Sequence, residues 1–325
     1  MSRASKLAKT IALAEGTDVR AAKAAEILTQ KNVCKVVLIG NEDEIKAKFP
    51  EIDFTGVSFD DPKTSEHRAE YANTLYELRK AKGMTEEQAL NIVTNNNMFY
   101  ACVALKRGDV DGVVGGAVFS SADVSRAAFQ VIKAAPGISS VSSCFVMVPP
   151  EDFKYKKYPA YIFSDCAVIP YPTSDQLSDI VVAAAGSAKK ICEMDPKIAM
   201  LSFSTKGSAN HDSVEKVRVA YQKVREEHPE IVVDGELQLD ASLVDSVASQ
   251  KAPGSPVAGQ ANVLVFPNLD AGNIGYKIAQ RFGNCMAIGP IMQGLALPVN
   301  DLSRGCVAED IAAVAAITAL QSVKD

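Results

Sequence analysis

Near the C-terminal end of the chain, the segment Pro298-Val-Asn-Asp-Leu-Ser-Arg-Gly-Cys306 is followed by Asp310, at the threshold of a long apolar stretch that ends near Gln321. Ser303 can hydrogen-bond, the Arg304 guanidinium can hold a phosphoryl or carbonyl oxygen, and Asp310 can take a proton. Together they suit transfer of an acyl group to or from phosphate. Taken alone, the same residues also fit a turn with a surface ion pair and a favourable first-turn acid.

Other groups share that chemistry, each beside a plainer alternative. Gly115-Gly116 reads as a strand end turning into a helix that starts near Ser121; its backbone N–H groups face an anion, or it is simply a tight turn. Arg126 lies five residues after Ser121, so both can reach one anion, unless Ser121 merely caps the helix. Arg79 sits in a charge-rich helix, where an arginine usually solvates a face. Asn273 and Lys277 share a helix face, toward a ligand or toward water. Lys206, after an apparent strand, meets phosphate or is a solvated loop charge.

Several chemistries lack support. The Gly108–Gly116 run does not fit GxGxxG, and no GxxxxGK[ST] occurs, so neither a dinucleotide fingerprint nor a P-loop is present. His67, His211 and His228 lie far apart, outside any metal-ligand spacing, so a zinc site and a histidine triad are both unsupported and no metal is expected. The seven cysteines (34, 102, 144, 166, 192, 285 and 306) form no CxxC pair and read as reduced, mostly buried thiols.

The elements that must position these groups alternate in the pattern of a parallel α/β sheet. Strands are expected at 9–14, 35–39, 110–114 and 143–148, and helices at 19–29, 64–82, 85–107 and 121–134. Pro149-Pro150 and the polar-aromatic stretch 151–158 mark a crossing point. A second series follows, with strands at 160–166, 197–202, 231–235, 261–266 and 285–289 and helices at 174–194, 212–227, 238–250 and 270–282. The last helix, about 307–321, is apolar nearly all round and needs burial on more than one side.

With 325 residues, 47% of them hydrophobic, the chain can bury a large core and favours two domains. Its net charge of -5 argues against a nucleic-acid footprint, so any anion site must be local. The N-terminal apolar run is too short for a signal peptide and the run 311–320 too short to span a bilayer. A cytoplasmic protein without a membrane partner is expected.

Segments along nearly the whole chain resemble the phosphate acetyltransferase (phosphotransacetylase) family, which exchanges acetyl between acetyl phosphate and coenzyme A. They are Glu77-Leu-Arg-Lys80, Lys82-Gly-Met-Thr85, Gly115-Gly-Ala117 with Ser121-Ala-Asp123 and Arg126, and Leu201-Ser-Phe-Ser-Thr-Lys-Gly-Ser-Ala209. Then follow Asp234-Gly-Glu-Leu-Gln238, Ala261-Asn-Val-Leu-Val-Phe-Pro267, Ala271-Gly-Asn-Ile-Gly-Tyr-Lys277 and Asn300-Asp-Leu-Ser-Arg-Gly-Cys306. Singly each is weak; in this order they are specific. The resemblance implies two three-layer α/β/α domains, similar to isocitrate and isopropylmalate dehydrogenases, with the active site in a cleft between them. The first domain would take 1–148 and 299–325, including the C-terminal helix, and the second 149–298. It also implies a homodimer in acetate metabolism, with coenzyme A as a substrate and no tightly bound cofactor. Ser303, Arg304 and Asp310 take the family's catalytic positions, while Arg79, Ser121, Arg126 and Arg281 take those that bind coenzyme A and acetyl phosphate. One departure is Ile169 and Tyr171, where relatives commonly carry asparagine.

On that footing a thiol attacks the acyl carbonyl while phosphate leaves. Deprotonating a thiol of pKa ~8.5 at pH 7 costs only ~2 kcal/mol, whereas losing one oxyanion donor costs ~2.7 to 4 kcal/mol. Arg304 is therefore expected to matter most, with Asp310 as base and Ser303 orienting the sulfur or the intermediate. An acyl-enzyme on Cys306 competes, although no histidine lies near it in sequence to act as base. Butyryl transfer is the nearest alternative, since a methylene shifts discrimination by only ~1 to 3 kcal/mol. A metal- and nicotinamide-dependent dehydrogenase lacks its carboxylate cluster, and a noncatalytic ligand-binding module would leave the three catalytic groups without use.

Overall fold

Apolar runs and amphipathic stretches alternate as strands and helices throughout the computed structural model, which describes residues 1–323. The chain divides into two units: Met1–Pro136 together with the chain from Leu295 onward, and Gly137–Gly294. In chain order the first unit contributes β1 (Thr10–Leu13), α1 (Val19–Gln30), β2 (Lys35–Ile39), α2 (Glu42–Lys48), β3 (Val57–Asp60), α3 (Arg68–Arg79), α4 (Glu86–Asn95), α5 (Asn97–Arg107), β4 (Gly112–Val114) and α6 (Ser121–Ala127). The second contributes β5 (Ser142–Val148), β6 (Tyr161–Ser164), α7 (Ser174–Cys192), β7 (Ile198–Leu201), α8 (Asp212–Glu227), β8 (Val233–Leu237), α9 (Leu239–Leu243), α10 (Asp245–Lys251), β9 (Val263–Val265), α11 (Leu269–Arg281) and β10 (Met286–Gln293). The chain then returns to the first unit with β11 (Val299–Asn300) and α12 (Ala308–Gln321).

The first sheet runs β11-β4-β1-β2-β3 with every pairing parallel. Its central strands are apolar at nearly every position, as a sheet covered on both faces requires, and Ile11, Ala12, Leu13, Val113 and Val114 are all buried. Helix α12 packs against α1 and β4. Its apolar circumference is thereby used: Ile311, Ala312, Val314, Ala315 and Ala319 are buried. Thr318 ties it to β11, its hydroxyl accepting from Asn300 Nδ2 at 2.8 Å.

The single helix expected over 85–107 is two. Asn96 has an extended backbone, which ends α4, and its side chain then accepts the N–H groups of Met98 and Phe99 to start α5. An asparagine competing with the helical ladder for backbone donors accounts for the break.

The second sheet has the order β10-β5-β6-β9-β7-β8. Strands β6, β9, β7 and β8 are parallel, but β5 pairs antiparallel with both β6 and β10. The 143–148 strand, read from sequence as closing the first series, thus hydrogen-bonds into the second sheet. Hydrophobic period identifies a strand and is silent about its partner, here 286–293, far along the chain. Among the described residues no helix is long and apolar enough to cross a membrane, and no three His, Cys, Asp or Glu side chains are grouped to hold a metal ion.

Candidate active site

The C-terminal ends of β1, β4 and β11 lie side by side, with Leu13 opposite Val114 and Val114 opposite Asn300. The loops leaving them are stitched together by backbone bonds from Ala14 N–H to Val114 O (3.0 Å) and from Gly115 N–H to Asn300 O (3.2 Å). This edge is where open parallel sheets present ligands. Gly116 has φ +117°, and a Cβ there would stand 2.2 Å from Asp301 Oδ1 and 2.7 Å from Leu302 N. Only glycine lets the two loops approach so closely.

The N–H groups of this turn were expected to face an anion or to close a tight turn. They do face an anion, and the chain itself supplies it. Glu15, buried just after β1, accepts from Gly116 (3.0 Å), Ala117 (2.8 Å), Val118 (2.6 Å) and Phe119 (2.7 Å). Those four donors are therefore occupied.

Arg20 joins the same loops from the first turn of α1. Asp18 holds its guanidinium at 2.9 Å, and the pairing keeps the Asp18 carboxyl below its ordinary range. Arg20 Nη2 donates to Ala117 O at 2.8 Å, while Nη1 donates to Arg304 O at 2.8 Å and Cys306 O at 3.4 Å. One guanidinium so ties the backbone of Arg304 and Cys306 to the Ala117 loop, and the Ser303 and Arg304 side chains are exposed. The Ser303 hydroxyl accepts from Gly305 N–H at 3.3 Å. Asp310 lies in the first turn of α12, half-buried, with Oδ2 accepting from Val307 N–H at 3.0 Å. Cys306 is buried; burial pushes its thiol up to about 11, although Arg20 pulls the other way.

The remaining candidates separate. Ser121, at the start of α6, favours the ionised form of Asp301, the buried carboxyl two residues before Ser303. It does not cap the helix: Ser120 does, accepting from Asp123 N–H at 3.2 Å. Arg126, one turn on, is exposed and paired with Asp123 at 2.7 Å. Arg79 ends α3 with its Nε buried and without a hydrogen-bond partner among the described residues. Arg281 is exposed at the end of α11, in the second unit. Lys206 is neither a free loop charge nor a free phosphate ligand, because the buried Asp234 carboxylate holds its ammonium. Asn273 anchors a loop by donating to Cys166 O at 3.1 Å, and Lys277 binds Asn273 at 2.6 Å. Tyr171 is exposed, donating to Asp270 at 2.9 Å, and Ile169 N–H is held by Asp165 at 2.7 Å.

Sequence reading therefore brought Ser121, Ser303, Arg304 and Asp310 to neighbouring loops and missed Glu15, Arg20 and Asp301. An acid and an arginine just beyond a strand end were the available signal for the first two. Nothing local marks Asp301, whose role depends on burial against the Gly116 turn.

Residues 1–319 match the family described as phosphate acetyl/butaryl transferase. The chain belongs to that family. A phosphate acetyltransferase of Acetivibrio thermocellus is 50% identical over 322 residues, covering 99% of this chain and 96% of the relative. The solved phosphotransacetylase of Streptococcus pyogenes superposes with a TM-score of 0.90 at 41% identity, covering 99% of this chain and 97% of that one. The wider fold extends beyond acyl transfer: a 4-hydroxythreonine-4-phosphate dehydrogenase of Salmonella typhimurium, called putative in its description, shares it with a TM-score of 0.55 at 14% identity over 97% of this chain and 99% of that one. The mixed α/β architecture expected for the family is thus the one observed.

Proposed function

We propose that this transferase exchanges acetyl between acetyl phosphate and coenzyme A, by direct attack of the coenzyme A thiol within a ternary complex. The observation that carries this reading is the exposed Ser303-Arg304 turn, braced by Arg20 and set beside Ser121 on one strand-end edge. A planar guanidinium there suits both the developing oxyanion and the departing phosphate. The sulfur adds to the acyl carbon as the thiol proton passes to Asp310, and the tetrahedral intermediate then collapses by breaking the carbon–oxygen bond to phosphate, which leaves. Ser303 orients the sulfur or the tetrahedral intermediate, and Arg304 neutralises charge on oxygen. Arg79, Ser121, Arg126 and Arg281 serve coenzyme A and acetyl phosphate. Arg126 would first leave Asp123, an exposed pair that costs little to open.

An acyl-enzyme on Cys306 is the weaker route. A buried thiol held near 11 is scarcely ionised at neutral pH, and the thiolate is the nucleophile. Coenzyme A enters as a substrate and no tightly bound cofactor takes part. A cytoplasmic homodimer completes the reading.

Following the phosphate- or arsenate-dependent loss of acetyl-, propionyl- and butyryl-coenzyme A tests the reading and ranks chain length together. Turnover fastest with acetyl is expected. No turnover with any of the three would remove the transferase assignment, and a butyryl preference would replace acetyl.

A further inference from the structure

Asp301 is an expensive residue to have placed where it is. It is 2% exposed, and its Oδ1 has no hydrogen-bond partner among the described residues. Burying a carboxylate without full satisfaction is among the costliest placements a fold can make. Three loops meet on it: the Gly116 turn, whose missing Cβ would overlap Oδ1, the start of α6 through Ser121, and its own loop through Leu302 N–H and Arg304. The two residues that follow Leu302 are the exposed Ser303 and Arg304.

We infer that Asp301 is a positioning residue for the reaction loop: its buried carboxyl, lodged against the Gly116 turn, fixes the backbone from which Ser303 and Arg304 project during acyl transfer. This rests on the acyl-transfer reading above. The anion is the working form. Burial and the nearby Glu15 carboxylate raise its pKa to about 6, while Ser121, the Leu302 N–H and Arg304 oppose that rise. The other charged groups of the adjoining elements already have partners: Arg20 has Asp18, Arg126 has Asp123, and Asp310 holds Val307 N–H. Protonation of Asp301 therefore removes the charge buried beneath the Ser303-Arg304 turn.

The test is Asp301→Asn, which keeps the shape and removes the charge, assayed for acetyl-coenzyme A formation between pH 5 and 8. For the wild type, kcat should fall on the acid side with a midpoint near pH 6. The variant should lose about 10- to 100-fold in kcat at pH 7.5, as misplacing a catalytic group does, keep each KM within about threefold, since uniform binding is untouched, and lack that acid limb. A variant with wild-type kcat overturns the inference. So does one that is slower but keeps the acid limb unchanged, because its effect would then be structural only. Should Asp301→Asn fail to fold, Ser121→Ala serves instead: removing a hydroxyl that favours the anion should move the midpoint to higher pH, and an unmoved midpoint overturns the inference. A wild-type protein without turnover on any acyl substrate would instead show that the acyl-transfer reading had failed.

Discussion

At the residue scale, Arg304 and Asp310 differ in the work their settings allow. Arg304 is exposed, its backbone pinned by Arg20, so its side chain is free to meet a ligand from a fixed base. Asp310 is half-buried in the first turn of its helix and committed through one oxygen to Val307 N–H. Arg304→Ala should lower kcat by about 10²- to 10³-fold, the usual cost of an oxyanion donor. Asp310→Asn should cost about 30-fold or less, the share of barrier that a thiol 1.5 units from ionised represents. In the same steady-state series Cys306→Ala should stay active. The reverse ranking of Arg304 and Asp310 would sink this division of labour. Of these residues the types and order were legible in sequence, because short motifs carry their chemistry locally. That Asp310 caps its own helix through Val307, and that Cys306 is buried, depended on how the chain turns there.

Helix α11 poses a different question at the scale of an element. Ile274, Ile278 and Phe282, spaced four apart from the helix into its C-cap, are 57%, 53% and 90% exposed. Leu239 and Met286 are exposed in the same unit, and a cavity of about 360 Å³ beside Ile278 is lined by Phe153, Phe163, Leu243 and Phe266. Apolar side chains at one helical spacing and left in water suit a contact surface, and a second copy is the occupant that the proposed homodimer would supply. Light scattering should find a dimer for the wild-type chain and a shift toward monomer for Ile274→Glu, two turns of α11 away from Arg281. A monomeric wild type would refute the homodimer. From sequence the 270–282 helix was legible, yet its exposed stripe was not: apolar spacing of this kind ordinarily signals a core face, and only the packing of the unit shows which face is left uncovered.

For the whole molecule, buried carboxyls set opposing responses to acid. Burial raises the Glu236 pKa, but Arg218, the Gly207 N–H and the Ser204 hydroxyl lower it further, to about 2 from an ordinary 4.5. Its folded-state pKa is depressed, so its stabilisation is complete above about pH 4.5 and is lost as pH falls toward 2. Asp301 runs the other way. Raised from 3.8 to about 6, its ionisation costs stability as pH rises through that window. Thermal melts should therefore show Tm falling below pH 4.5. Glu236→Gln, which leaves Arg218 only Glu215 and Ala209 O, should lower Tm at pH 7 and flatten that acid response. An unchanged acid slope would show that Glu236 is not its source.

By itself the sequence determined the alternation of strands and helices, the order of the motifs that mark the family, and the residue types at the reaction turn, because all of these are local patterns of period, punctuation and side-chain chemistry. Tertiary structure decided the partner of 143–148, the capture of the Gly116–Phe119 N–H groups by Glu15, the strap formed by Arg20, and the burial of Asp301. Each joins residues tens to hundreds of positions apart, and which distant groups share a loop edge follows from strand register and helix packing, for which a local pattern carries no signal. The Ser303-Arg304 turn was visible in the chain; what holds it in place was not.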